Sequence, residues 1–418
     1  MVYQENIEIF LEVSSTFHNQ IKSEWKTLYD YRQKGKEWIN SIKLKYHNSD
    51  VTVFAFEILQ TEIFHFLNVS GSITILPENN SYKALIMKGG GIKGLAYVGA
   101  LEEITKFYKF NWYAGTSAGA IAAVLLGADY SIDELKKILS EKNFKDFKDA
   151  SLLKGLLNLI SKKGVYEANT FTSWLDNLLA KKLESTVAVR LAHLPNRTSI
   201  YACRRDKDAL IFDSHNAETK NINAAFAARC SMSIPLIFTP QKSEGLNVFD
   251  GGARNNFPVE LLLKDNPNTD FIGLYLGDEI HVNKKNSTLG DIFKILTESS
   301  ESETLENYKE HIIVIDPSPI STLKFKLTNQ EKDFLLECGR LAAIKFLIKK
   351  EMIENVNYDI RKEKLEIQRM NFKKRILVRN RNIKITLLIL LLGICCWYWN
   401  HYLISTFLVL YIQLCKMV

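Results

Sequence analysis

Ser117 lies in Gly115-Thr116-Ser117-Ala118-Gly119, a serine among small residues at the junction of two contrasting stretches. Phe110–Ala114 (FNWYA) is aromatic-rich and reads as a short strand, and Ala118–Leu126 (AGAIAAVLL) reads as the start of a buried helix. A serine on such a strand-to-helix elbow is held in a strained turn with its hydroxyl presented outward. Flanking glycines are required there because side chains would strike the neighbouring strand and helix. The helix that follows also points N–H groups and the positive end of its dipole at the serine oxygen, favouring an alkoxide or oxyanion. Taken alone, G-x-S-x-G is as often a small-residue turn. The strand before it and the helix after it favour a nucleophile.

A second cluster has the chemistry of an anion cradle. Ala84–Met87 (ALIM) reads as a buried strand and runs into Gly89-Gly90-Gly91-Ile92-Lys93-Gly94. Leu95, Val98, Leu101, Ile104 and Phe107 then recur at helical spacing through Leu95–Phe107. A glycine loop between strand and helix exposes consecutive backbone N–H groups, which suit a phosphate or a developing oxyanion. A nucleotide-binding P-loop needs Gly-Lys followed by Ser or Thr, and Lys93 is followed by Gly94. Gly89, Gly91 and Gly94 match the dinucleotide pattern G-x-G-x-x-G. However, the acidic residue that should follow some 20 positions later is missing, and the serine elbow stands there instead. An oxyanion hole is the better reading.

The third cluster is Asp250-Gly251-Gly252, after the short strand Leu246-Asn247-Val248-Phe249. By itself it is an ordinary turn. Next to a serine nucleophile it is a candidate base, because the two glycines allow another loop to approach closely. Two histidines also follow Asp250: His281 in the polar stretch Asp278–Ser287, and His311 at the opening of Ile312–Ile315. On residue chemistry alone, a Ser…Asp…His triad stays open, because histidine is the better base at neutral pH.

These clusters, in this order, resemble the patatin-like phospholipase family. Ala227–Pro240 (AARCSMSIPLIFTP), with its Ser-x-x-x-Pro and Phe-x-Pro, is similar to the family's segment ahead of the catalytic aspartate. The likeness runs from about Tyr82 to Val259 and extends weakly to residue 348. It implies an α/β fold, a patatin-like sheet flanked by helices. It also implies a Ser–Asp dyad, with Ser117 as nucleophile, Asp250 as general base, an acyl-serine intermediate, and an oxyanion hole within Gly89, Gly90, Gly91, Ile92, Lys93 and Gly94. On this reading the triad falls away, and neither a metal nor a cofactor is needed. The chain departs from the family in having Lys88 where Asp is frequent and Lys93 where Arg is frequent. Lys88 is expected to add charge at the loop and bias the site toward anionic headgroups.

The elements around these clusters alternate. Strands are expected at Ser199–Cys203, Ala209–Asp213, Phe271–Leu276 and Ile312–Ile315, and helices at Ala168–Lys182, Asn221–Ala228 and Thr328–Ile348, the pattern of an α/β sheet. The site then falls at the C-terminal ends of strands. Residues 1–80 form an extension without visible chemistry, with a helix over Glu24–Tyr46 and strands at Val51–Gln60 and Ser72–Leu76. The amphipathic Leu152–Ile160 (LLKGLLNLI) is expected to pack on the core, with a membrane-facing helix as the lesser alternative.

The end of the chain carries a different signal. Ile385–Tyr411 contains no Asp, Glu, Lys or Arg, and about 20 apolar residues suffice to cross a bilayer. Trp397, Tyr398, Trp399, Asn400, His401 and Tyr402 interrupt it, so a short re-entrant pair competes with one tilted span. The span is favoured because each half is short. Lys373, Lys374, Arg375, Arg379, Arg381 and Lys384 put six cations in twelve residues immediately upstream, without an acid. This predicts a cytoplasmic catalytic domain on a single C-terminal transmembrane helix, and contact with anionic headgroups. The expected organisation is therefore 1–80 extension, 82–348 catalytic domain, 349–384 basic juxtamembrane helix and 385–415 transmembrane segment.

Composition narrows the class. The chain has 418 residues, 46% of them hydrophobic, enough for a sizeable core. Its six cysteines show neither disulfide-scaffold nor metal spacing, which fits a reducing compartment. Met1–Phe10 carries acids and no apolar run, so no cleaved signal is expected. The net charge of +7 gathers before the apolar end and not on an aromatic platform, so nucleic acid is not an expected partner. The expectation is a membrane-anchored serine acyl hydrolase of phospholipid or lysophospholipid esters. Its rivals are a neutral-lipid lipase or acyltransferase using the same dyad, and a non-catalytic membrane-binding protein. A protein activator stays open as a further partner.

Overall fold

The computed structural model describes residues 12–17, 28–46, 51, 55, 58, 59, 83–277, 301–322, 324–355, 357–382 and 386. It divides into two compact units, residues 1–83 with 102–110, and residues 84–101 with 111–418.

Within the first unit, α1 (Leu28–Tyr46) shares a small core formed by Val13, Phe17, Trp38, Ile42, Val51, Ala55 and Leu59. The rings of Phe17 and Trp38 lie 4.7 Å apart. The strand expected at Val51–Gln60 is not one, because its described residues Val51, Ala55, Ile58 and Leu59 are helical. Their spacing of i, i+4, i+7 and i+8 places them on one helix face. The β-branched opening of the stretch masked that period. Ser72–Leu76 lies outside the described residues.

The second unit is built on an eight-stranded sheet. Its strands are β1 (Lys83–Met87), β2 (Phe110–Thr116), β4 (Arg197–Arg204), β5 (Lys207–Asp213), β7 (Gln241–Ser243), β8 (Leu246–Asp250), β9 (Phe271–Leu276) and β10 (Ile312–Ile315), with β3 (Gly164–Tyr166) and β6 (Leu236–Phe238) forming a separate pair. The order is β10-β9-β1-β2-β4-β8-β7, with β5 also on β4. The β9–β10, β1–β9 and β2–β4 ladders are parallel, whereas β5 and β8 run antiparallel to β4. Strands covered on both faces should read as continuous apolar runs, and β9 (FIGLYL) is buried at every position.

Helices fill the crossovers and flanks. They are α2 (Leu95–Ile104), α3 (Ala118–Gly127), α4 (Ile132–Glu141), α5 (Leu152–Lys162), α6 (Asn169–Lys182), α7 (Ala224–Ser231), α8 (Val259–Asp265), α9 (Glu301–Asn307), α10 (Asn329–Lys349) and α11 (residues 358–382). Ser131 and Thr328 start α4 and α10 with full capping boxes to Glu134 and Glu331. Helices α2 and α10 meet backbone to backbone. A Cβ at Gly99 would sit 1.9 Å from the Leu336 carbonyl oxygen, and one at Gly339 1.9 Å from that of Ala96. The basic helix expected beyond residue 348 is present as α11, and its first half packs on the body. Leu365, Arg369 and Phe372 are buried, with Phe372 edge-on to Phe334 at 5.2 Å. Apart from Thr386, the apolar end Ile385–Tyr411 lies outside the described residues. Among the described residues, no helix is long and apolar enough to cross a membrane.

Candidate active site

Ser117 stands between β2 and α3 with φ 52° and ψ −116°, a strained backbone for any residue but glycine. The surroundings enforce it. A Cβ at Gly119 would fall 2.2 Å from the Met87 carbonyl oxygen, and one at Gly115 2.4 Å from the Gly119 backbone. The elbow thus nests against the end of β1. The Ser117 N–H donates to Ser231 Oγ at 2.8 Å, and Ser231 donates onward to the Tyr201 carbonyl at 2.6 Å.

Register brings the carboxylate to the hydroxyl. Thr116 on β2 pairs with Tyr201 on β4, and the next residue, Ala202, pairs with Asp250 at the end of β8. Two strands distant in sequence therefore finish level with one another across β4. The Ser117 side chain faces the buried Asp250 carboxylate and lowers its proton affinity. Gly252 N–H donates to Asp250 Oδ1 at 2.7 Å, and the Asp250 N–H donates to the Ser233 carbonyl at 3.0 Å. Burial pushes Asp250 up to about 7, against the opposing pull of the Gly252 N–H and the Ser117 side chain.

The glycine loop closes the third side. Gly89 packs so tightly that a Cβ would lie 2.1 Å from Asn256 Oδ1 and 3.1 Å from Ser117 Cβ. Its N–H donates to the Asn256 carbonyl at 2.9 Å. Gly91 has φ +56°, which glycine adopts freely. Ile92 N–H donates to the Thr322 carbonyl at 3.4 Å, and Lys93 N–H to that of Gly90 at 3.3 Å. Gly91, Ile92, Lys93 and Gly94 form one 3-10 turn leading into α2. Among the described residues, the N–H groups of Gly90 and Gly91 have no protein acceptor.

One expectation changes. Lys88 does not present charge to the site. It is buried, with Nζ 2.5 Å from Glu301 Oε2 and 3.9 Å over the Tyr275 ring, and Tyr275 donates to the same carboxylate oxygen at 2.9 Å. An anionic headgroup cannot be drawn by a cation already neutralised within the fold. His311 stands at the N-terminal end of β10, stacked on Phe271 at 5.1 Å. Because β10, β9 and β1 are parallel, that end is opposite the one bearing the glycine loop. His281 lies outside the described residues. Among the described residues, no group of three or more His, Cys, Asp or Glu could hold a metal.

Several supporting residues carry no motif of their own. Asn256 ties the loop after Asp250 to Gly89. Ser231 and Ser233 hold Ser117 and Asp250 through the backbone. Arg229, fully buried, donates to Ser233 Oγ at 2.7 Å and to the carbonyls of Glu167 and Thr239 at 2.6 and 2.9 Å. A lone arginine among the small residues of Ala227–Pro240 was the one available signal.

The α/β sheet thus brings a serine elbow, a glycine loop and a buried aspartate to one end of its strands. Residues 85–263 match the family model for patatin-like phospholipase. The chain is 28% identical over 288 residues to protein YqhO of Bacillus subtilis, covering 63% of this chain and 97% of that one. It is 27% identical over 308 residues to protein R571 of Acanthamoeba polyphaga mimivirus, covering 67% and 97%. A probable lipid hydrolase, 463L of Invertebrate iridescent virus 6, is 25% identical over 193 residues, covering 44% and 64%.

Proposed function

We propose that this chain hydrolyses fatty-acyl esters of phospholipids or lysophospholipids through a Ser117–Asp250 dyad. The observation that carries this reading is the register that brings Ser117, at the end of β2, level with Asp250, at the end of β8, a buried carboxylate whose proton affinity is raised toward neutrality. A carboxylate at its ordinary value is a weak base for an alcohol, and raising it toward the working pH improves proton transfer.

Asp250 takes the Ser117 proton as Oγ bonds to the ester carbonyl carbon. The carbonyl oxygen gains negative charge beside the N–H groups of Gly90 and Gly91 and the N-terminus of α3. Collapse breaks the bond to the alcohol oxygen, which leaves with the proton from Asp250, and an acyl-serine remains. Asp250 then takes a proton from water as it attacks the acyl carbon, and returns that proton to Ser117 Oγ as the acyl–oxygen bond breaks and the fatty acid leaves. Lys93 stays beside the loop as a positive charge. The apolar 385–415 segment and the basic residues before it support a single-pass membrane anchor with the catalytic body on the cytoplasmic side.

The test is fatty-acid release from mixed phospholipid vesicles by the wild type, Ser117→Ala and Asp250→Asn, with a fluorophosphonate probe on each. Loss of release in both variants, with labelling of Ser117 in the wild type, supports the dyad. Release that survives Ser117→Ala removes it.

A further inference from the structure

Helix α5 leaves three large apolar side chains facing outward. Gly155 and Asn158 face inward. A Cβ at Gly155 would meet Val165 Cγ1 at 2.8 Å, and Asn158 Nδ2 donates to the Val165 carbonyl at 3.2 Å. Leu153, Leu157 and Ile160 are i, i+4 and i+7, within an arc of about 60° on the other side of the helix. They are 71%, 60% and 78% exposed. Leu236 on β6, paired in register with Gly164 just beyond the helix, is 61% exposed and has φ +68°. The outward, strained Leu236 and the stripe of two leucines and an isoleucine are apolar positions that the fold presents and does not bury.

The charges around the stripe indicate what covers it. Residues 142–163 hold six lysines (Lys142, Lys145, Lys148, Lys154, Lys162 and Lys163) against two aspartates. Asp149 is taken up by the N–H groups of Glu167, Ala168 and Asn169, at 2.9, 3.0 and 2.9 Å. Glu167 meets Lys154 and Lys162 at 3.4 and 3.1 Å and offsets them only in part. Aliphatic residues on one side with lysines around them are the composition of a helix lying in an anionic lipid interface. The face is also joined to the site. Arg229 holds the carbonyls of Glu167, after β3, and Thr239, after β6, together with Ser233, whose carbonyl accepts the Asp250 N–H.

We infer that Leu153, Leu157, Ile160 and Leu236 form the surface by which the catalytic body seats on an anionic phospholipid bilayer. The inference rests on the lipid-hydrolase reading above and adds where the bilayer meets the body, separately from the C-terminal segment. The full chain is reconstituted with vesicles of phosphatidylcholine containing phosphatidylglycerol and a diazirine-bearing phospholipid. Photolabelled peptides are mapped, and hydrolysis of the vesicles is compared with that of a water-soluble short-chain ester. Leu153→Ser/Leu157→Ser/Ile160→Ser is run beside the wild type, with the single change Leu157→Asp as a milder second variant.

The expected result is label within 152–163 and at Leu236. In the variants the label is lost, and vesicle hydrolysis falls about tenfold more than hydrolysis of the soluble ester. Label confined to other segments overturns the inference, as does an equal fall on both substrates in both variants. Lipid-free cross-links between α5 helices of two chains, with a dimer in sedimentation, would assign the face to a second copy and also overturn it. Label on α5 without hydrolysis of either ester supports the surface while removing the proposed reaction.

Discussion

At the scale of single residues, the site depends on an aspartate held almost entirely out of bulk solvent. Raising Asp250 from its ordinary 3.8 to about 7 corresponds to about 4 kcal/mol of cost to the charged form. Between these values the folded chain keeps a proton that the unfolded chain has released. Stability from this group is therefore greatest in acid and falls as pH rises from about 4 to about 7. Activity runs the other way, because the base works deprotonated. Turnover per folded molecule is expected to rise through half its plateau near pH 7. Asp250→Asn should lower turnover by about a thousandfold or more and raise the unfolding free energy from urea titration at pH 8 by about 1–3 kcal/mol. An asparagine variant no more stable than wild type at pH 8 would count against burial as the source of the shift.

At the scale of elements, the strand ends and loops hold one another by contacts too close for side chains. Gly119→Ala would drive a methyl into the Met87 carbonyl at 2.2 Å. It is expected to cost about 3 kcal/mol or more, read as a lowered melting temperature together with lost fluorophosphonate labelling. Gly91→Ala combines φ +56° with a 2.5 Å approach to the Thr322 carbonyl, and should spare overall stability less than a surface change while slowing acylation. The Lys88–Glu301 pair links the end of β1 to α9. Lys88→Met alone strands a buried carboxylate and should destabilise by about 3–5 kcal/mol. Lys88→Met with Glu301→Leu should recover most of that loss, because a matched apolar pair removes both charges from the interior. Chemical denaturation of the single and double variants decides this, and equal losses in both would assign the cost to packing.

At the scale of the whole molecule, charge is uneven along the chain. Helix α11 packs on the body through Leu365, Arg369 and Phe372 and then continues into Lys373, Lys374, Arg375, Arg379 and Arg381. Each cation near an anionic surface contributes about 1 kcal/mol, within a Debye length. A chain ending after Lys384 should sediment with phosphatidylserine vesicles at low salt and release as salt rises. Replacing the six cations by glutamine should abolish the residual binding that this stretch supplies. Binding unchanged by the replacement would leave α5 as the surface responsible.

The sequence by itself determined the local parts of the site. The elbow at Ser117, the loop at Gly89–Gly94 and the strand end at Asp250 each depend on a few consecutive residues, and short-range sterics write such features directly into glycine spacing. The alternation of strands and helices was legible for the same reason, since periodicity is a local property. Tertiary structure decided the rest. Ser117 and Asp250 meet through the registers of β2 on β4 and β4 on β8, which no short window encodes. Lys88 became a buried strut because Glu301, 213 residues away, folds beneath it, and charge in a sequence carries no mark of burial. Val51, Ala55, Ile58 and Leu59 became helical because their apolar spacing found a partner helix, where the composition of the stretch favoured strand. Helix α5 left Leu153, Leu157 and Ile160 outside because Gly155 and Asn158, on its opposite side, are the ones that fit against β3. Amphipathicity sets how wide an apolar stripe is, and only the packed neighbour decides whether it faces the core or the solvent.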